Sequence, residues 1–292
     1  MKRLVPFPCV AMVLATTAFS QTLKIGGAEV VAGALSELEV PILPEWKKIV
    51  ARTPGGAAVE KAKVGIVLPR DFDPARSWPV WVVNVTSSGE AQPIGALRGI
   101  RESLLAKGWV GIAAEGPFKP NPDSTEWYLA MLSSALAATH TAWPESRKWP
   151  YACGGFSGGA KRSGGVAASL AKSGYNVIGM FMAGCNEDAA STGLSSSKPA
   201  AATFKKVPIF LSSGAEDKVA TPAQHATVKA SMERTGFKDV RLESHPGAHK
   251  LHKEHVDAAM AWFLEVAAKA PAAPGAAAAG PKSSFDDFFK KK

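Results

Sequence analysis

The segment Gly155-Phe156-Ser157-Gly158-Gly159 sets a serine among small residues where an apolar run gives way to a helix-like stretch. In that setting G-x-S-x-G describes a sharp turn that lifts a hydroxyl above the end of a strand, and its glycines let the chain pass close to itself. Ser157 is then a candidate nucleophile. The amides that follow open a helix, so the N–H of Gly158 points to where negative charge would grow on an attacked carbonyl. An incidental serine in a glycine-rich turn is the plainer alternative, and the strand-turn-helix context argues against it.

A serine hydroxyl is a weak nucleophile at neutral pH, so this chemistry needs a base, and the base needs a carboxylate to hold its tautomer. Both residue types occur downstream in the required order. After the apolar run VPIFL comes Ser212-Ser213-Gly214-Ala215-Glu216-Asp217, an acidic loop at the end of a core strand. Asp217 is the preferred carboxylate, with Glu216 its direct rival, since either side chain could turn inward. Further on, His245-Pro246-Gly247-Ala248-His249 leads into an amphipathic helix. His249 is the preferred base over His252 and His255, which fall at or inside the helix, and over His245, which is closer to the strand. The four histidines also invite a metal reading, but HExxH is absent and the spacing favours a loop histidine followed by a solvated helix; no metal and no cofactor is expected.

These loops need a scaffold that brings strand ends together. Apolar, β-branched runs at Val64 to Leu68 and Val80 to Val85 read as buried strands, followed by others at Trp109 to Ala113, Tyr151 to Gly154, Val177 to Met182, Val207 to Leu211 and Val240 to Glu243. Helical spacing occupies Gly95 to Lys107, Trp127 to Ala138, Gly158 to Lys172, Ala223 to Thr235 and Glu254 to Ala267. Such alternation implies an α/β fold: a mostly parallel central sheet with helices on both faces and sites at the carboxyl ends of the strands. The short segment from Gly184 to Lys206 leaves no room for a large lid. Lys161 and Arg162 follow the serine and are read as a solvated helix face rather than a recognition site for acidic groups; Trp127, Trp143 and Trp149 are read as core.

The two ends differ from this body. Residues 1–20 combine Lys2 and Arg3, an apolar stretch and the sequence Ala18-Phe19-Ser20, which together describe a secretory signal peptide too short for a permanent membrane anchor. Residues 21–268 then form one enzyme-sized domain, and an exported, periplasmic or secreted location follows. Cys153 and Cys185, the two cysteines beyond the leader, are read as separate buried thiols rather than a disulfide framework. Residues 269–292 form an Ala/Pro/Gly-rich linker and a charged tail; partner docking through that tail is possible, and an unstructured end is the simpler reading. The formal net charge of +9 draws on both ends, and the body carries no Lys/Arg run, so nucleic acid is not an expected partner.

Several of these stretches resemble one family over roughly residues 60 to 268. VGIVLPRDFDPARSWPVWVV is similar to the opening strands of secreted esterases and poly(hydroxyalkanoate)-depolymerase-like α/β-hydrolases, WPYACGGFSGGAKRS to their nucleophile elbow, GAEDKVATPAQ to their acid loop, and HPGAHKLHKEHVDAAMAWF to their histidine loop and last helix. The resemblance implies Ser157 as nucleophile, Asp217 as acid, His249 as base and the Gly158 amide as one oxyanion donor. One departure stands out. Where the family carries His-Gly after its third strand, this chain has Asn84-Val85-Thr86-Ser87-Ser88-Gly89, so the second donor would be the amide of Ser87 or Ser88. Asn84-Val85-Thr86 also fits a glycosylation sequon, but it lies in a strand.

The expectation is an exported serine hydrolase that cleaves small or polymeric carboxylic esters through an acyl-enzyme, without cofactor, nucleic acid or stable membrane insertion. Peptide or thioester cleavage on the same fold is the near alternative. A non-catalytic binding module on the same scaffold is the distant one, favoured by the odd loop after Asn84 and by the tail.

Overall fold

The computed structural model describes residues 23–86 and 92–269, so the leader, Ser87, Ser88 and the tail from residue 270 lie outside the described residues. The chain opens with a hairpin of β1 (Leu23–Ile25) and β2 (Ala28–Val30), then β3 (Leu35–Pro41), α1 (Pro44–Arg52), β4 (Lys61–Val67) and β5 (Val80–Asn84). It continues through α2 (Pro93–Gly99), α3 (Arg101–Lys107), β6 (Val110–Glu115), α4 (Thr125–Ala142), β7 (Pro150–Phe156) and α5 (Gly158–Lys172). The last elements are β8 (Asn176–Ala183), α6 (Ala189–Ser197), α7 (Ala201–Phe204), β9 (Ile209–Gly214), α8 (Pro222–Thr235), β10 (Val240–His245) and α9 (Lys253–Lys269).

Strands β3 to β10 form one sheet in the order β10-β9-β8-β7-β5-β6-β4-β3. Pairing is antiparallel at β3–β4 and β4–β6 and parallel everywhere else in that sheet. Strands β5 and β9 are buried along their whole length, which is why they read as continuous apolar runs rather than alternating ones. One apolar layer lies under α4, α5 and α8, the other under α2, α3 and α9. The chain leaves β5 to form β6 on one side and returns to form β7 on the other. The order of the strands therefore reverses beside β5, and in open α/β sheets the crevice at that point is where ligands bind.

The sequence reading and the structure differ over one helix and one side chain that bear on the site, and agree that the segment after β8 forms no large lid. The helix read over Gly95 to Lys107 is two helices: the chain breaks at Ile100 (φ −109°, ψ 8°), next to Gly99, whose weak helix preference makes it a cheap place to stop. The segment from Gly184 to Lys206 carries α6, which packs along α5 instead of covering the strand ends. Arg162 is not on a solvated face. Its side chain is 5% exposed, it pairs with Asp123 at 2.6 Å, and it donates to the carbonyl oxygen of Val85, just past the end of β5. The guanidinium also lies over the ring of Tyr128, whose hydroxyl donates to the Val83 carbonyl at 2.7 Å, so two side chains grip the end of β5. Lys161, by contrast, points outward and pairs with Glu187.

Candidate active site

Ser157 stands between β7 and α5 with φ 55° and ψ −121°, a backbone conformation that a residue with a side chain adopts only under constraint. The constraint is visible in its neighbours. The Ser157 N–H donates to the Ala183 carbonyl at 2.8 Å, tying the turn to the end of β8. On the other flank α5 presses so closely on β5 that a Cβ at Gly159 would overlap the carbonyl oxygen of Asn84. The turn is held by crowding of backbone against backbone. We therefore expect Gly159→Ala to lower stability by about 3 kcal/mol or more, as overpacking does where rigid atoms cannot yield. Gly165→Ala, in the same helix with open space around its Cβ, should raise stability by roughly 0.5–1 kcal/mol through helix propensity. Urea unfolding midpoints of the two variants would check both signs.

The loops after β9 and β10 approach the elbow as a pair. Gly214 faces His245 in the parallel register; beyond it the Ala215 N–H donates to the His245 carbonyl at 2.8 Å and the Glu216 N–H to the Gly247 carbonyl at 3.0 Å. A Cβ at Gly214 would overlap the Ala248 carbonyl oxygen, so this close approach depends on glycine. The pairing fixes the acid and the imidazole relative to each other. Asp217 is buried and Glu216 exposed, so of the two it is Asp217 that lies against His249.

The resulting contacts form a chain. His249 Nε2 is 3.0 Å from Ser157 Oγ, and His249 Nδ1 is 2.7 Å from Asp217 Oδ2. Asp217 Oδ1 accepts the N–H groups of Val219 and Ala220, both at 2.8 Å. Burial by itself would raise the Asp217 pKa; hydrogen bonds from Ala220, His249 and Val219 outweigh it and hold the carboxyl below its ordinary range. An ionised Asp217 accepts a hydrogen bond from the Nδ1–H of His249, which leaves the Nε2 lone pair facing the serine hydroxyl. The ring of Phe156 packs against the imidazole, with centroids 4.6 Å apart.

Of the other residues singled out in the sequence, His245, His252 and His255 stack on one another rather than on the serine, and His255 Nδ1 bonds to Ser212 Oγ at 2.8 Å. Among the described residues no group of three or more His, Cys, Asp or Glu side chains is arranged to hold a metal ion. Trp127 packs on Phe118, and Trp143 and Trp149 pack around Phe72, all inside the core. Asn84 is buried and donates to Ser163 Oγ at 3.0 Å, so the sequon is inaccessible. Cys153 and Cys185 are separate buried thiols; burial pushes Cys185 up to about 11 and Cys153 further still. Among the described residues no helix is long and apolar enough to cross a membrane. Sequence reasoning missed two participants: Thr86, which packs against Gly158 at the rim of the cleft, and Arg162, which ties α5 to the end of β5.

A mostly parallel sheet with a strained serine at a strand-to-helix elbow, and an acid and a histidine on the loops after two following strands, defines the α/β-hydrolase fold. Solved structures agree. A hyperthermophilic esterase from the archaeon Pyrobaculum calidifontis superposes with a TM-score of 0.54 at 10% identity, covering 81% of this chain and 84% of the esterase. A bacterial heroin esterase gives 0.53 at 16% identity, covering 80% of this chain and 84% of that one. A Bacteroides ovatus protein described as a dipeptidyl aminopeptidase IV gives 0.53 at 13% identity; 79% of this chain matches, but it spans only 36% of that protein's length. No protein-family model matches the sequence, and no curated protein does.

Proposed function

We propose that the protein is an exported serine hydrolase that cleaves carboxylic esters, with Ser157 as nucleophile, His249 as general base and acid, and Asp217 as the orienting carboxylate. The observation that carries this reading is the unbroken contact chain from Ser157 Oγ through both ring nitrogens of His249 to Asp217. Ser157 Oγ attacks the ester carbonyl while its proton passes to His249 Nε2, forming a tetrahedral oxyanion. Collapse of that species breaks the bond to the alcohol, which leaves with the proton from Nε2, and the acyl group stays on Ser157. Water then repeats the sequence, giving its proton to His249, and the carboxylic acid is released with Ser157 restored. The oxyanion is held by the Gly158 amide; the second donor, an amide of Ser87 or Ser88, lies outside the described residues.

Export is part of the proposal and rests on residues 1–20; docking of a partner through residues 269–292 is a secondary one. Support for esters over other acyl substrates comes from the two esterases above, which match most of their own length. The purified chain from residue 21 onward should hydrolyse p-nitrophenyl acetate and take up one fluorophosphonate probe at Ser157, read by intact mass and peptide mapping. A well-folded protein that acquires no adduct would favour the binding-module reading, and equal labelling of Ser157→Ala would remove Ser157 from the mechanism.

A further inference from the structure

Beside Ser157 a cavity of about 500 Å³ runs down between the sheet and the helices α2 and α9. Its polar side chains are those of Ser157, His249, Thr86 and the buried Asn84, which donates to Ser163 Oγ. Elsewhere the walls are apolar, with Trp81 of β5 and Phe181 of β8 on the sheet side facing Ala96 of α2, Ile100 and Val256 of α9 on the helix side. No Asp, Glu, Lys or Arg lines it among the described residues. The sheet wall is rigid: the Trp81 ring lies 5.7 Å from that of Phe181, 5.8 Å from Trp109 and 6.2 Å from Phe263. Protein interiors are otherwise packed to crystal density, so an apolar space of this size opening onto a nucleophile is room for a ligand.

Resting on the hydrolase reading above, we propose that this slot binds the acyl chain of the substrate, and that the preferred substrates are esters of uncharged aliphatic acids several carbons longer than acetic acid. Three features set the class. Among the described residues the walls carry no charge, so they offer no partner to an acid bearing a second ionised group. A water occupies roughly 30 Å³ in the liquid, close to the share of a methylene, so the slot holds a chain well beyond acetyl. The acyl group, rather than the alcohol, belongs there because it stays bonded to Ser157 through both half-reactions. The alcohol must depart to admit water at His249, so it belongs on the solvent side of the serine. This reading differs from the expectation, drawn from the absence of a large lid, that small or polymeric esters fit best.

The test is the kcat/KM of the full mature chain on p-nitrophenyl esters from acetyl to palmitoyl. It is accompanied by Ala96→Phe, which fills the slot from a half-buried helix position, and by Ile100→Ala, which lengthens it. Each buried methylene should raise kcat/KM roughly fourfold until the slot is full. The wild type should peak at hexanoyl or longer. Ala96→Phe should lower the octanoyl-to-acetyl ratio at least tenfold, and Ile100→Ala should shift the peak to longer chains. A maximum at acetyl, or ratios indifferent to both variants, overturns the slot while leaving Ser157 chemistry standing; octyl acetate preferred over ethyl octanoate overturns the acyl assignment. Failure of every ester, together with no phosphonate adduct, overturns the hydrolase reading itself.

Discussion

Ser157→Ala is expected to abolish turnover, with kcat reduced by a factor on the order of 10⁶, the scale seen when a serine nucleophile of this kind is removed. The fold should survive. Alanine meets the same backbone constraint at φ 55°, and the contacts that impose it, Ser157 N–H to Ala183 and the crowding of α5 on β5, do not involve the hydroxyl. His249→Ala should fall to a similar floor. The double variant should be no slower than either single one, because nucleophile and base act as one unit and removing a second member of a broken unit removes nothing more. Any rate remaining above that in water would come from the Gly158 amide and the acyl slot. Single-turnover kinetics on an activated ester, with intact mass for the acyl adduct, would show this. Additive losses in the double variant would mean that Ser157 and His249 act independently.

The parts of this site that could be read from sequence are those set by local rules. The elbow is legible because a strained turn admits few residue types, and α5 is predicted from Gly158 to Lys172, where the structure places it. The order acid, then histidine, after successive apolar runs is legible because a parallel sheet delivers every strand end to the same edge. The choice of Asp217 over Glu216 is not, since a two-residue acidic loop has no periodicity to say which side chain turns in. The adjoining turn decides it: Val219 and Ala220 direct their amides onto Asp217 Oδ1, a closure that a carboxylate one methylene longer would not make. Arg162 escapes the sequence for the opposite reason. Its partner Asp123 is 39 positions away, and a helical wheel sees only neighbours. The edge strand β3 does carry its own signal, the alternation in Glu37-Leu38-Glu39-Val40, with Leu38 and Val40 buried and Glu39 exposed between them.

Asp217→Asn should lower kcat by about 10⁴, the cost of holding a catalytic imidazole in the wrong tautomer. The direction follows from the geometry around the carboxylate. Oδ1 accepts two backbone N–H groups, so an asparagine must keep its carbonyl oxygen there and turn its NH₂ toward His249. Nδ1 would then have to accept, the ring proton would move to Nε2, and the face toward Ser157 could no longer take a proton. Glu216→Gln, on the exposed neighbour, should stay within about twofold of wild type, as surface changes away from a site do. Stability gives an independent readout. The folded pKa of Asp217 lies below its unfolded value, so its ionised form stabilises the protein above pH about 4, and that contribution is lost as pH falls through the folded value. The stability gap between wild type and Asp217→Asn should therefore be widest at neutral pH and shrink below pH about 4. A gap that stays constant in urea titrations from pH 7 down to pH 3, or a variant whose kcat drops less than tenfold, would show that Asp217 does not hold His249 as an ionised partner.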